Sequence, residues 1–148
     1  MSSSKMNLIL AWFSSFLIFF TLSSNKIDNG LNGYYQEFMD LAKQECNKIS
    51  PPSQFSITFS LLSGDNVGEC TTYLVRRKIE IDKNYWNNSS IETKRQLMFH
   101  ELTHCVLDMD HVNSESNYMN PYLVELPAEE LYRQVKQNMA TYCNNRLD

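Results

Sequence analysis

The sequence predicts an α+β fold with a small mixed sheet, an N-terminal helix, a buried central helix and a C-terminal helix. Three observations predict it. Apolar residues recur at helical spacing in residues 34–49 and 128–143, apolar and polar residues alternate from Phe55 to Leu61, and residues 91–107 are apolar around most of a helical circumference. We therefore expect helices and strands to combine in one domain.

Length and composition are those of an ordinary globular protein. The 148 residues fit one domain, and 43% are hydrophobic while 20% are charged. The net charge is −4 and no run of five or more basic residues occurs, so we expect no nucleic-acid partner. We expect the domain to be a monomer.

Residues 1–24 are predicted to be a secretory signal peptide. Lys5 supplies a positive charge, a nearly continuous apolar run extends from Leu8 to Leu22, and two small serines follow. The run is shorter than the ~20 residues that span a bilayer. We expect cleavage near Ser24, a domain of residues 25–148, a secreted or periplasmic location and no stable membrane association. An uncleaved segment would instead anchor the protein.

All four cysteines lie after the predicted signal peptide, at Cys46, Cys70, Cys105 and Cys143. An even number of cysteines in a small secreted chain predicts two disulfide bonds. Four cysteines allow three pairings, and the sequence does not choose among them. Four free buried thiols are the alternative if the chain is not exported.

Local patterns place the first helix and the strands. Tyr35, Phe38 and Leu41 share one face of the helix predicted over residues 34–49, and Ser50-Pro51-Pro52 ends it because a residue before proline avoids helical geometry. Strands are predicted at residues 55–61, 71–75 and 78–82, with a turn at 64–66 and with Arg76-Arg77 as a bend or as part of one long strand.

The central helix has a clear start signal. Ser89 followed by Glu92 matches a capping box, after which residues 91–107 contain no Gly or Pro. Because its apolar residues cover most of the circumference, we expect this helix to be buried. A closing helix is predicted after Pro127.

All three histidines of the chain lie in "HELTHCVLDMDH", residues 100–111. His100 and His104 are one turn apart on the buried helix. Each buried neutral imidazole must place a donor and an acceptor, and one metal ion can take a lone pair from both rings. Glu101 lies about a quarter of a turn away and is free to act as a base. The H-E-x-x-H pattern is typical of zinc hydrolases, and a pair of satisfied core histidines is the alternative.

This stretch, followed by His111 and by Met119 in "SNYMNPY", resembles the metzincin zinc proteases. Their pattern is H-E-x-x-H-x-x-G-x-x-H with a downstream Met-turn, and residues 97–122 are also similar to small bacterial metzincin-like proteins. The resemblance implies a minimal metzincin-like zincin fold, one catalytic Zn²⁺ and a peptide or protein substrate. It also implies that Met119 forms a hydrophobic floor beneath the metal.

The third metal ligand is left open by departures from the family pattern. Leu107 replaces the family glycine, and Asp110 occupies the family's ligand position, one residue before His111. If the helix is one residue longer and Asp108 makes the left-handed turn, His111 is the ligand. If not, Asp110 is the ligand, as in the snapalysin-like proteases. We favour His111 with Asp110 beside it, and Glu115 is a third option.

Two further interpretations of the H-E-x-x-H motif stay open. In gluzincins a glutamate on a later helix is the third ligand, which here would be Glu129 or Glu130, but this leaves His111 and Met119 unexplained. A zinc-stabilised binding module without turnover is the alternative from another class. The presence of Glu101 favours an enzyme instead.

Tyr118 and Tyr122 flank Met119. Because family members sometimes use a tyrosine near the Met-turn, the resemblance implies an oxyanion or substrate contact for either residue, with packing as the alternative. Asn87 and Asn88 begin overlapping glycosylation sequons, which matter only in a eukaryotic secretory pathway and are equally explained as a polar turn.

The sequence as a whole predicts a secreted zinc metalloendopeptidase. Its ligands are expected to be His100, His104 and His111. Glu101 is expected to be the general base, which takes a proton from the attacking water and passes it to the leaving amine.

Overall fold

The computed structural model describes residues 25–146, so the predicted signal peptide lies outside the described residues. Eight elements follow one another in this part of the chain: β1 (Lys26–Ile27), α1 (Asn29–Glu45), β2 (Gln54–Ser60), β3 (Gly68–Thr72), β4 (Arg76–Asp82), α2 (Lys83–Asn88), α3 (Ile91–Leu107) and α4 (Ala128–Asn144). The predicted α+β fold is confirmed.

The sheet is mixed and has the strand order β1-β2-β4-β3. The three strands β1, β2 and β4 are parallel, and β3 pairs antiparallel with β4. Because β3 and β4 are joined by a short hairpin, β3 can pair antiparallel beside β4 at the edge of the sheet. One side of β3 therefore has no strand partner within residues 25–146.

One face of the sheet forms the core with the helices. Phe55 and Ile57 of β2 and Ile79 and Ile81 of β4 are buried, while the residues between them are only partly buried. This alternation follows from the period of two in a strand. Helix α3 lies at the centre and contacts α1, α4, β3 and β4.

Helix α3 is buried almost all round, as predicted from its apolar circumference. Eleven of its residues are buried, all between Gln96 and Leu107. Its start differs from the prediction: the N-cap is Ser90, whose hydroxyl accepts from the Thr93 backbone N–H at 3.1 Å. Ser89 ends α2 and donates its hydroxyl to the Tyr85 carbonyl at 2.7 Å, so it is not available as the cap.

The first helix and the hairpin also differ from the predicted bounds. Helix α1 starts at Asn29 rather than at residue 34. Its second residue, Gly30, packs closely against β2, since a Cβ at this position would lie 3.3 Å from the ring of Phe59. Residues 73–75 were predicted to end a strand, but they form the exposed tip of the β3–β4 hairpin. Their apolar side chains predicted a half-buried strand, but in the structure these side chains are exposed.

Two disulfide bonds are present, as predicted. Cys46 at the end of α1 is bonded to Cys143 of α4, and Cys70 of β3 is bonded to Cys105 of α3. Disulfide bonds are typical of proteins that fold in an oxidising environment. None of the helices within residues 25–146 is both long and apolar enough to cross a bilayer.

This pairing can be tested by peptide mapping. Digestion of the unreduced protein should release one linked pair of peptides carrying Cys46 and Cys143 and another carrying Cys70 and Cys105, because these sulfur atoms are bonded in the fold. Loss of each bond should lower the free energy of unfolding by about 2–4 kcal/mol. Mass spectrometry of the digest checks the pairing, and any crossed peptide would contradict it.

Candidate active site

Two imidazoles of α3 are oriented by backbone carbonyls. The Nδ1 of His100 donates to the Tyr118 carbonyl at 2.8 Å, and the Nδ1 of His104 donates to the Met109 carbonyl at 2.6 Å. A carbonyl oxygen only accepts, so each ring carries its proton on Nδ1. The Nε2 of each neutral ring is therefore left with a lone pair.

A left-handed turn brings the third histidine to this pair. Helix α3 ends at Leu107, and Asp108 follows with φ 57° and ψ 41°. The predicted turn at Asp108 is thereby confirmed. The Nε2 of His111 lies 3.1 Å from that of His100, which lies 3.1 Å from that of His104.

The three side chains offer metal-ligand atoms that lie within 4.8 Å of one another, and no other such group occurs within residues 25–146. The lone pairs of His100 and His104 face each other without a proton between them, which is unfavourable unless a cation binds there. Burial lowers the pKa of His100 to about 4 and also lowers the pKa of His104, so both rings are neutral near pH 7. The donor set therefore fits a metal ion that prefers imidazole.

The turn at residues 117–120 holds two of the histidines. The Tyr118 carbonyl accepts the hydrogen bond from His100. The next carbonyl, that of Met119, accepts at 2.8 Å from the backbone N–H of Val112, the residue that follows His111. The Met119 side chain is fully buried in the core. This segment therefore ties His100 and the segment around His111 to the same short piece of chain.

Arg77 stabilises the end of α3, a role that sequence analysis missed. One nitrogen of its guanidinium donates to the Cys105 carbonyl at 2.7 Å, and another lies 2.9 Å from Asp108. Cationic groups at a helix C-terminus are favourable because the last carbonyls lack helical partners. No local signal in the sequence links Arg77 to a helix that begins fourteen residues later.

Glu101 lies in a buried position beside β3. Burial, with a smaller contribution from Glu69, raises the pKa of Glu101 to about 8. A Cβ at Gly68 would lie 2.6 Å from Oε1 of Glu101 and 2.9 Å from Cδ1 of Leu97. A side chain at position 68 would therefore force the Glu101 carboxyl and Leu97 to shift, and sequence analysis did not identify Gly68 because this contact is not local.

The histidines and Glu101 line a cavity of about 840 Å³. Tyr122 also lines the cavity and is 82% exposed, so it remains a candidate for substrate contact. Tyr118 is fully buried, and its hydroxyl bonds Thr103 at 2.9 Å and Asn138 at 2.8 Å. The expectation that Tyr118 contacts the oxyanion or the substrate through its hydroxyl is therefore not supported, and its carbonyl orients His100 instead.

The other carboxylates considered as third ligands lie apart from the histidine group. Asp110 lines the cavity but is exposed and is not part of the group of potential ligands. Glu130 forms hydrogen bonds with Arg133 and Gln134. Glu115 and Glu129 are exposed and do not line the cavity.

The fold and the histidine group agree with a comparison against protein families. The profile of the family described as "Putative phage metallopeptidase" matches residues 63–139, just over half of the chain. The chain belongs to this family, which is one of metallopeptidases. Comparisons with curated proteins and with solved structures found no match.

The close contact of Gly68 gives a stability prediction. Gly68→Ala should lower the free energy of unfolding by about 1–3 kcal/mol, because the methyl group overpacks Leu97 and the buried carboxyl of Glu101. Gly33→Ala is the matched control, since nothing lies within 4 Å of its Cβ position in α1. It should stabilise the protein by about 0.5–1 kcal/mol. Urea unfolding of both variants measures the difference, and equal stabilities would count against the contact.

Proposed function

We propose that this protein is a secreted zinc-dependent metallopeptidase of the metzincin-like type. The observation that carries the proposal is the convergence of three imidazole Nε2 atoms in a cavity, open to solvent, that the buried residue Glu101 also lines. Membership of a metallopeptidase family supports the same class of reaction. Secretion is supported by two disulfide bonds and by the signal-like sequence of residues 1–24.

His100, His104 and His111 are the proposed zinc ligands. Three neutral imidazoles suit zinc, and catalytic zinc sites keep a further position for water or substrate. The hydrogen bonds from Nδ1 of His100 and His104 to carbonyl groups would fix the tautomer in which Nε2 binds the ion. When bound, the ion would supply Lewis acidity to water and to the substrate carbonyl.

Glu101 is the proposed general base. Its carboxyl is buried, lines the cavity, and follows His100 directly in α3. It takes a proton from the water whose oxygen attacks the scissile carbonyl carbon, and it gives that proton to the amine nitrogen as the C–N bond breaks. Burial, which raises the pKa of Glu101, favours a carboxyl that holds the proton between these two steps.

A peptide substrate is supported by the position of β3. Gly68, Cys70 and Thr72 of this strand line the cavity, and the strand has β4 on one side only within residues 25–146. An exposed strand edge presents backbone N–H and C=O groups that an extended peptide can pair with. The scissile bond of such a peptide would lie next to Glu101, which contacts Gly68.

The proposed role of Glu101 is tested by Glu101→Gln. This variant should bind zinc as the wild type does but should lose hydrolysis of a mixed peptide library by at least about 100-fold, because an amide cannot accept the proton of water. Zinc content by mass spectrometry and product analysis measure both properties. Turnover close to that of the wild type would remove Glu101 as the base. Zinc bound by the wild type without any cleavage would instead favour a binding module.

The proposed ligands are tested by comparing His111→Ala with Asp110→Ala. Loss of His111 leaves two imidazoles, so zinc affinity should collapse and activity should fall with it. Asp110 lies next to the ligand in sequence but outside the histidine group, so its loss should weaken zinc binding by no more than about 10–100-fold. Competition with a chromophoric chelator measures both affinities. The opposite order would make Asp110 the ligand, and tight binding by both variants would exclude either residue.

A further inference from the structure

Apart from the three histidines, every ionisable acid or base among Asp, Glu, Lys and Arg that lines the cavity is a carboxylic acid. Besides the buried Glu101, the exposed residues Asp65, Glu69, Asp108 and Asp110 line it. Neither lysine nor arginine is among the lining residues of the described chain. The wall of the cavity is therefore strongly negative, although the net charge of the whole chain is only −4.

Most of these carboxylates lack compensating cations. Asp108 is paired with Arg77 at 2.9 Å, but Asp65, Glu69 and Asp110 form no ion pair within residues 25–146. Away from the cavity several carboxylates pair with cations, as in Glu37 with Arg95, Glu80 with Lys78 and Glu45 with Lys136. The unpaired carboxylates Asp65, Glu69 and Asp110 share one cavity lining, so their charges add there.

A second observation points to a positively charged ligand. The Glu101 side chain lines the same cavity, the residue is only 4% exposed, and its carboxyl forms no hydrogen bond with another residue of the described chain. A dication at the histidines would offset two of the three exposed carboxylates that have no ion pair, Asp65, Glu69 and Asp110. Negative charge therefore remains in the cavity even with a dication bound.

These carboxylates lie toward both ends of β3. At one end Gly68 contacts Glu101, and Glu69 is the next residue of the strand. At the other end Thr72 pairs across the hairpin with Arg77, which binds Asp108, and Asp110 follows two residues later. A peptide extended along this strand would meet carboxylates on both sides of the bond near Glu101.

We propose that the substrates are cationic peptides, with lysine or arginine within a few residues on either side of the cleaved bond. Asp65, Glu69 and Asp110 select them by charge. The inference rests on the proposed peptidase function and names the substrate class of that same site.

The experiment compares matched peptides that differ only in having lysine, glutamine or glutamate at the positions flanking the cleaved bond. At low salt the zinc-loaded protein should show kcat/KM about tenfold higher for the lysine peptide than for the glutamine peptide, as expected of two or more exposed charge pairs. The preference should shrink at 0.5 M salt, because the Debye length falls to about 4 Å. A preference for the neutral or acidic peptide would overturn the proposal.

The double variant Asp65→Asn/Glu69→Gln tests the residues. It should reduce the ratio of lysine-peptide to glutamine-peptide cleavage by about threefold to tenfold. The control variant Asp40→Asn/Glu125→Gln changes the net charge equally at exposed positions that do not line the cavity, and it should keep the wild-type ratio. An unchanged ratio in the first variant, or an equal loss in the control, would contradict selection by these carboxylates.

A binding measurement separates this inference from the proposed function. Fluorescence anisotropy with zinc-loaded Glu101→Gln reports affinity for the same labelled peptides without turnover. Tighter binding of the lysine peptide without cleavage by the wild type would support charge selection and overturn the peptidase. Cleavage by the wild type with equal binding of all three peptides would leave the peptidase standing and overturn charge selection.

Discussion

The chain reverses direction at Asp108, and the geometry of the site depends on this reversal. A left-handed backbone costs a residue with a side chain about 1–2 kcal/mol, so the turn needs support from its surroundings. Arg77 supplies it by contacting both the Asp108 carboxylate and the Cys105 carbonyl. Because the turn is fixed there, the chain after α3 folds back toward the helix. The Nε2 of His111 then lies 3.1 Å from the Nε2 of His100.

Backbone carbonyls, rather than side chains, determine which ring nitrogen of His100 and His104 carries the proton. The carbonyls of Tyr118 and Met109 accept from His100 and His104, and a carbonyl cannot change its role from acceptor to donor. Both rings are therefore held with Nε2 unprotonated and directed at a common point. Two unprotonated Nε2 atoms directed at one point are suited to binding a cation, which agrees with membership of a metallopeptidase family.

Strand β3 is coupled to α3 at two places along the cavity. Gly68 lies against Glu101, where an added Cβ would force the carboxyl to shift, and two residues later Cys70 is bonded covalently to Cys105, the neighbour of His104. The wall of the cavity and the helix that carries the candidate chemical groups are therefore held at a fixed separation. A covalent bond between them keeps the open edge of β3 beside the histidine group.

The sequence by itself determined the features that depend on neighbours in the chain, the buried helix α3 and the H-E-x-x-H spacing, and it offered the turn at Asp108 as one of two alternatives. Helical periodicity and backbone preference act over a few residues, so they are visible without a structure. Tertiary structure decided which cysteines pair, that Gly68 lies against the Glu101 carboxyl, and that Arg77 supports the turn. It also brought His111, rather than Asp110, to the other histidines. These outcomes depend on packing between segments distant in sequence, which local patterns do not encode.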